Sequence, residues 1–198
     1  MSEKYLIVGA TGSIGSNLAT QLYDSNKEVH LVGRKEDETK SLSEKLGFTY
    51  TIADVLEDGF VDKIKSDVKD IKGFQDSLKK NNGSIVLFST IAAQKGFTNH
   101  SIIASAKAAV EGLALSIAAE FAPDIRVNCV ALSLTNSKIA QPILKNTVLA
   151  QGIAKSHPLK RIGEGKDGAA IAKFLLTEES SWMTGQVIAV DGGRSKLS

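Results

Sequence analysis

The 198-residue sequence predicts an α/β fold, a doubly wound parallel sheet, on three observations. Short apolar runs alternate with segments of helical periodicity, the pattern of parallel strands joined by covering helices. A glycine-spaced turn, "GATGSIG", follows the first apolar run and opens a helical segment. Three prolines, with no repeat, linker or low-complexity tract, give no sign of a boundary, so residues 1–198 are expected to form a single domain. A chain of this length buries roughly 70% of its unfolded surface, enough for a sizeable core.

The elements follow in order. Lys4–Val8 reads as the first strand, and Ile14, Leu18 and Leu22 behind it share one helix face. Glu28–Val32 is the second strand; a polar helix leads to the third, Phe48–Ile52. Ser84–Ser89, Ile125–Ala131 and Gln186–Val190 are the later strands. Between them lie a long helix from about His100 to Phe121, a weaker helical region over Ile139–Ile153 and a helix over Asp167–Thr177. In residues 56–84, Val61, Ile64, Val68, Ile71, Phe74 and Leu78 recur every three or four positions, which predicts one long crossover helix.

Composition narrows the function classes. Hydrophobic and charged shares of 42% and 23% are those of a soluble globular protein. A net charge of +2 gives no reason to expect nucleic acid or an anionic membrane as partner. Cys129, the one cysteine, lies in the apolar run "IRVNCVAL" and reads as a buried, inert thiol. The N-terminus enters "KYLIV" without a signal pattern, and the longest apolar span, Ile102 to Ala122, carries Lys107, Glu111 and Glu120. The expected location is a reducing cytoplasm, with no membrane span. No constellation of metal ligands stands out.

The glycine turn carries the first chemistry. Gly9, Gly12 and Gly15 permit a tight turn and close approach of a phosphate, and the helix start adds N–H groups and a positive dipole end. The cofactor-binding set here is Gly9, Thr11, Gly12, Ser13, Ile14 and Gly15; close packing of strand on helix is the competing reason for the glycines. At the end of the second strand, "LVGRKE" has Gly33, which leaves room, and Arg34 and Lys35, which supply charge. A carboxylate there holds the ribose hydroxyl of NAD, whereas an arginine accommodates the extra phosphate of NADP. NADP(H) is therefore favoured over NAD(H), the bland alternative being a solvated basic turn. Asp54 and Val55, past the third strand, would lie beside the adenine.

These residues resemble the short-chain dehydrogenase/reductase family. "GATGSIG" looks like its glycine motif, "GSIVLFST" like the strand that delivers the catalytic serine, and "AKAAVEGLALSIAAEFAPDIRVNCVA" like its active-site helix and following strand. "HPLKRIGEGKDGAAIAKFLLTEESSWMTGQVIAVDGG" is similar to the family's C-terminal segment throughout. The resemblance covers residues 4–55 and 83–193 and implies a single NAD(P)-binding, Rossmann-like domain with one crossover shortened. It also implies a homo-oligomer, dimer or tetramer, since Val110, Leu113, Leu115 and Ile117 make the long helix apolar on more than one face.

Two departures from the family pattern bear on activity. The family's proton donor is a tyrosine four residues before a lysine that holds the nicotinamide ribose; here the lysine is Lys107 and the tyrosine position is Ile103. The serine position is Thr90, with Ser89 beside it. The segment holding an "NNAG"-like strand and the relay asparagine has no counterpart, and "NNG" at Asn81–Gly83 reads as a turn. His100 shares a helix face with Ile103 and Lys107 and is a candidate acid, about 10.5 Å along the axis from Lys107. Alternatively "TNHS" starts the helix, with Thr98, Asn99 or Ser101 as cap. Thr135 occupies the region that contacts the carboxamide, although Leu132-Ser133 replaces the family's proline–glycine. His157 is expected to be solvated or structural, and Trp182 to be core or subunit interface.

The expected function is an NADP(H)-dependent oxidoreductase, reducing a carbonyl or oxidising an alcohol of a small-molecule substrate with an atypical proton donor (Thr90, His100 or water). The alternative is a catalytically inactive nucleotide-binding sensor or scaffold of the same lineage.

Overall fold

Every strand pairing in the computed structural model, which describes residues 4–68 and 74–197, is parallel. The chain divides into two compact units, residues 1–77 and 78–198, each built on a three-stranded sheet.

In the first unit the order is β1 (Lys4–Val8), β2 (Glu28–Gly33), β3 (Thr49–Ile52), with Lys4 opposite Glu28 and Gly33 opposite Ile52. Parallel neighbours cannot be joined by a hairpin, so a helix follows each of the first two strands. Helix α1 (Ser13–Tyr23) buries Leu18, Ala19 and Leu22, and α2 (Glu36–Leu46) buries Thr39, Ser43 and Leu46. Central β2 is buried from Val29 to Gly33, and His30 within it is sandwiched: its Nδ1 meets Thr49 Oγ1 at 2.8 Å and its Nε2 meets Thr51 Oγ1 at 2.9 Å. Thr51 Oγ1 in turn donates to Asp67 Oδ2 at 2.6 Å.

The single crossover helix expected over residues 56–84 is not formed. Helix α3 (Phe60–Asp67) ends before Val68, whose φ of −91° and ψ of 99° are extended, and α4 (Phe74–Lys80) begins anew. Burial explains the break: Val68 turns into a cluster with Val32, Ala53 and Ile64, while Asp67 is held by Thr51. Ile71, counted in that periodicity, lies outside the described residues.

In the second unit the order is β4 (Ser84–Thr90), β5 (Arg126–Leu132), β6 (Val187–Val190), with Thr90 opposite Leu132 and Leu132 opposite Val190. Helix α5 (Ser101–Phe121) lays Ala114 and Ala118 against Ile125, Val127 and Cys129. The predicted Ile139–Ile153 region is two helices, α6 (Gln141–Leu144) and α7 (Thr147–Ser156). Helix α8 (Gly165–Leu176) starts with a capping box between Glu164 and Asp167, and buries Ala169, Ala172 and Leu175. The Arg126 guanidinium donates to the carbonyls of Leu175, Thr177 and Ser180 at 3.0–3.1 Å, closing the end of α8 against β5.

Cys129 is fully buried, and burial pushes its thiol up to about 11, in line with an inert cysteine. Trp182, expected in the core or at a subunit interface, is 99% exposed and so no part of this unit's core. Helix α5 is, by length and composition, long and apolar enough to cross a membrane, yet only Ala114 and Ala118 are buried along it. Ile102, Leu113 and Leu115 stand more than half exposed.

Burial lowers the pKa of His30 below the ordinary 6.5, with Asp67 opposing in part. The native state therefore prefers the neutral ring, and below pH 6.5 the unfolded chain takes up more protons than the folded one. Stability should be full above that pH and fall as the pH drops through it. Urea unfolding at pH 7.5 and pH 5.5 checks this: His30→Leu should shallow the pH slope, and an unaltered slope would contradict the sandwich.

Candidate cofactor and active-site residues

The first unit holds the glycine turn and the residues expected at the ribose and adenine. Gly9 has a φ of +78°, the left-handed region, and its N–H and that of Ala10 both donate to Val32 O, tying the turn to the end of β2. Gly12 is the N-cap of α1 and supplies no side-chain cap, and no carboxylate stands in the first turn. A Cβ on Gly15 would meet Gly9 O at 2.5 Å and Ala10 Cα at 2.9 Å, so the helix can follow the strand this closely only with glycine there. Thr11, Ser13 and Ile14, expected to line the cofactor, are partly exposed along the same turn. The tight turn, the uncapped helix start and the absence of acid fit a phosphate group.

Arg34 and Asp54, two residues of the expected cofactor set, are brought together: Arg34 Nη1 lies 3.5 Å from Asp54 Oδ2. Asp54 Oδ1 also accepts from the N–H of Leu56 at 3.1 Å. Val55 beside it is exposed, an apolar surface next to a cation. Gly33 serves a purpose other than the expected one. A Cβ there would lie 2.2 Å from Thr39 Oγ1, so the space it leaves is filled by α2.

The second unit gathers the expected catalytic positions along β4 and α5. Lys107 Nζ donates to Phe88 O at 2.8 Å, which fixes its ammonium at the C-terminal half of β4. Thr90 Oγ1 donates to Leu132 O at 3.1 Å and accepts from Ala92 N–H at 3.3 Å. Its hydroxyl proton is therefore committed to the neighbouring strand. Ser89 Oγ donates to Glu111 Oε1 at 2.6 Å, and Gln94 Nε2 donates to the other oxygen at 2.9 Å. Glu111 thus organises the group, a role the sequence reading missed; its place one turn after Lys107 was the signal that could have found it.

Ile103 is half-exposed and carries no ionisable atom. His100 is itself the N-cap of α5, in place of the expected Thr98, Asn99 or Ser101, and makes no side-chain capping bond. Its Nδ1 meets Thr98 O at 2.7 Å, so Nδ1 carries the proton and Nε2 is the atom left to exchange one. Thr135 Oγ1 donates to Ser133 O at 3.0 Å, and its backbone bridges to Gly163. His157 is buried, with Nε2 at 2.8 Å from Ser133 Oγ and Nδ1 at 2.8 Å from Ile153 O, which is a structural arrangement.

Residues 71–195 match a family model described as enoyl-(acyl carrier protein) reductase, and residues 5–107 match the NAD dependent epimerase/dehydratase family. An uncharacterized short-chain type dehydrogenase/reductase of Sinorhizobium fredii is 40% identical over 124 residues, 61% of this chain and 49% of that protein. The chain spans about half the length of the curated relatives it matches, or less. A short-chain type dehydrogenase/reductase from Mycobacterium ulcerans superposes with a TM-score of 0.89 at 24% identity, covering 98% of this chain and 91% of that one. The structure of ElxO with NADP bound superposes with a TM-score of 0.85 at 22% identity, covering 98% and 99%. These superpositions identify the fold as Rossmann-like parallel α/β.

Gly15→Ala should destabilise the protein by about 1–3 kcal/mol, because the added methyl group meets backbone on two sides. A thermal melt checks it, and an unshifted midpoint would mean that the turn is looser than the geometry requires.

Proposed function

Because the chain belongs to the short-chain dehydrogenase/reductase family, we propose that it is an NADP(H)-dependent oxidoreductase acting on a small-molecule carbonyl or alcohol, with a proton donor other than tyrosine. The observation that carries this reading is the turn Gly9–Gly15 with Arg34 at the end of the adjoining strand. The uncapped start of α1 is suited to the diphosphate, Arg34 to the additional phosphate through its planar fork, and Val55 to the adenine face. The NADP bound to ElxO supports the same choice.

The bound nicotinamide would supply hydride transfer. The chain's own residues divide the remaining work. Lys107 spends one N–H on Phe88 O, leaving two donors for ribose hydroxyls. Thr90 must give up its bond to Leu132 O before it can donate to a substrate oxygen. His100, exposed at the start of α5, is the candidate protein acid, with Nε2 as the atom that would exchange a proton. The exposed apolar side chains of α5 support assembly into a homo-oligomer.

A second reading, a nucleotide-binding sensor or scaffold without turnover, is favoured by Ile103 at the tyrosine position and by the commitment of the Thr90 hydroxyl to Leu132. The two part on one measurement. Fluorescence titration should show tighter binding of NADPH than NADH, with consumption of NADPH on a panel of ketones and aldehydes; binding without consumption would select the sensor. Arg34→Ala should weaken NADPH binding by roughly tenfold and leave NADH almost unchanged. An equal loss for both cofactors would remove Arg34 from the phosphate.

A further inference from the structure

The turn Asn81–Gly83, which joins α4 to β4 in the second unit, carries a chemistry that the cofactor reading does not use. Asn82 is the only asparagine of the chain followed by glycine, and it is exposed. An asparagine side-chain amide is open to attack by the backbone nitrogen of the next residue. A Cβ on that residue obstructs the approach, and glycine has none.

The fold favours both halves of this labile pair. Asn82 has a φ of 49°, the left-handed region that asparagine, aspartate and glycine tolerate best. A Cβ on Gly83 would lie 2.5 Å from Leu78 Cδ2 and 2.9 Å from Leu78 Cα, so a larger residue would have to move the end of α4. The same cap restrains the reaction. The Gly83 N–H, on the nitrogen that would attack, donates to Leu78 O at 2.8 Å, and Gly83 O accepts from the Arg126 N–H at 3.0 Å. Attack therefore waits for the last turn of α4 to open. That turn is weakly held: α4 has seven residues, Lys79 and Lys80 are exposed, and the Asn82 N–H reaches Lys79 O only at 3.4 Å. The ends of short helices open at little cost.

We propose that Asn82 is a site of spontaneous deamidation, gated by opening of the C-terminus of α4. The Gly83 nitrogen gives its proton to hydroxide and bonds to Asn82 Cγ; the Cγ–Nδ2 bond breaks, and ammonia leaves, taking a proton from water. The product is a five-membered succinimide, which water then opens. Cleavage of the new Cγ–N bond leaves aspartate in an ordinary backbone, and cleavage at the α-carbonyl leaves isoaspartate, with the chain running on through Cγ. In sum one water is consumed, one ammonia is released and nothing is oxidised or reduced. Aspartate keeps the left-handed turn but sets a negative charge at the end of α4, where the helix dipole opposes it. Isoaspartate lengthens the backbone by one carbon, so Gly83 no longer meets Leu78 O and the Arg126 N–H together, and the start of β4 loosens.

Incubation of the whole chain in mildly alkaline buffer, with digestion at intervals, tests this. The mass gain of NH2 replaced by OH locates each converted asparagine, and an isoaspartyl methyltransferase labels the isoaspartate. The peptide holding Asn82 should convert before that of any other asparagine, and roughly tenfold more slowly than in the chain unfolded by urea. K80G, which puts a poor helix former at an exposed position of the last turn, should speed native conversion roughly threefold and leave the rate in urea unchanged. Conversion of another asparagine first, conversion of Asn82 as fast in the native chain as in urea, or a native K80G rate equal to the parent's would each overturn the proposal.

Discussion

Parallel pairing is the constraint on which both units depend. A parallel neighbour can be reached only by carrying the chain back across the sheet, so each strand ends in a turn that must launch a return segment. Those turns hold the residues of interest. Gly9 follows β1, Arg34 follows β2, and Asp54 lies just past β3. In the second unit Thr90 closes β4 and Ser133–Thr135 follow β5. The C-terminal edge of each sheet becomes its chemical edge because direction reversals, exposed N–H groups and short polar side chains collect there.

Holding that edge takes polar work inside the core. Arg126 satisfies the carbonyls at the end of α8, and Asn128 clasps Met183 O and the N–H of Gln186. Asn128 lies in the fully buried centre of β5 and Arg126 at its partly buried start, so the hydrogen bonds of Asn128 above all are shielded from competing water and costly to leave unmade. They fasten the segment between α8 and β6 to the central strand. Glu111 does the same for the loop after β4, binding Ser89 and Gln94 from a helix that otherwise buries only two alanines.

Strands, and the helices between them, were legible in the sequence because burial on two faces leaves unbroken apolar runs and burial on one leaves a period. Lys4–Val8 matches β1 residue for residue, and the long helix from His100 differs from α5 by one residue. The crossover was misread because Val61, Ile64 and Val68 keep a helical period up to the residue that leaves the helix; periodicity reports which side chains want burial, not where the backbone turns to bury them. Trp182 is not a core residue, because its position before β6 leaves it exposed on this chain, where the expected alternative was a subunit interface. Of the site, the glycine turn and Arg34 could be read from local sequence. The Thr90–Leu132 bond and the Glu111 network could not, because they join segments brought together only by the fold.

The pair Arg34–Asp54 sets a threshold at the rim of the first sheet. Its arginine side chain is 70% exposed, and an ion pair in that setting is worth about 0–1 kcal/mol. A doubly charged group can outbid so weak a partner, because it offers the guanidinium two oxygens and more charge than the carboxylate it displaces. An uncharged hydroxyl cannot, and would leave the arginine where it is. Under the proposed NADP(H) reading the carboxylate would be a resident competitor that admits strong anions and screens out mere hydrogen-bond acceptors, so that selectivity at this rim would come as much from the partner already seated as from the arginine itself.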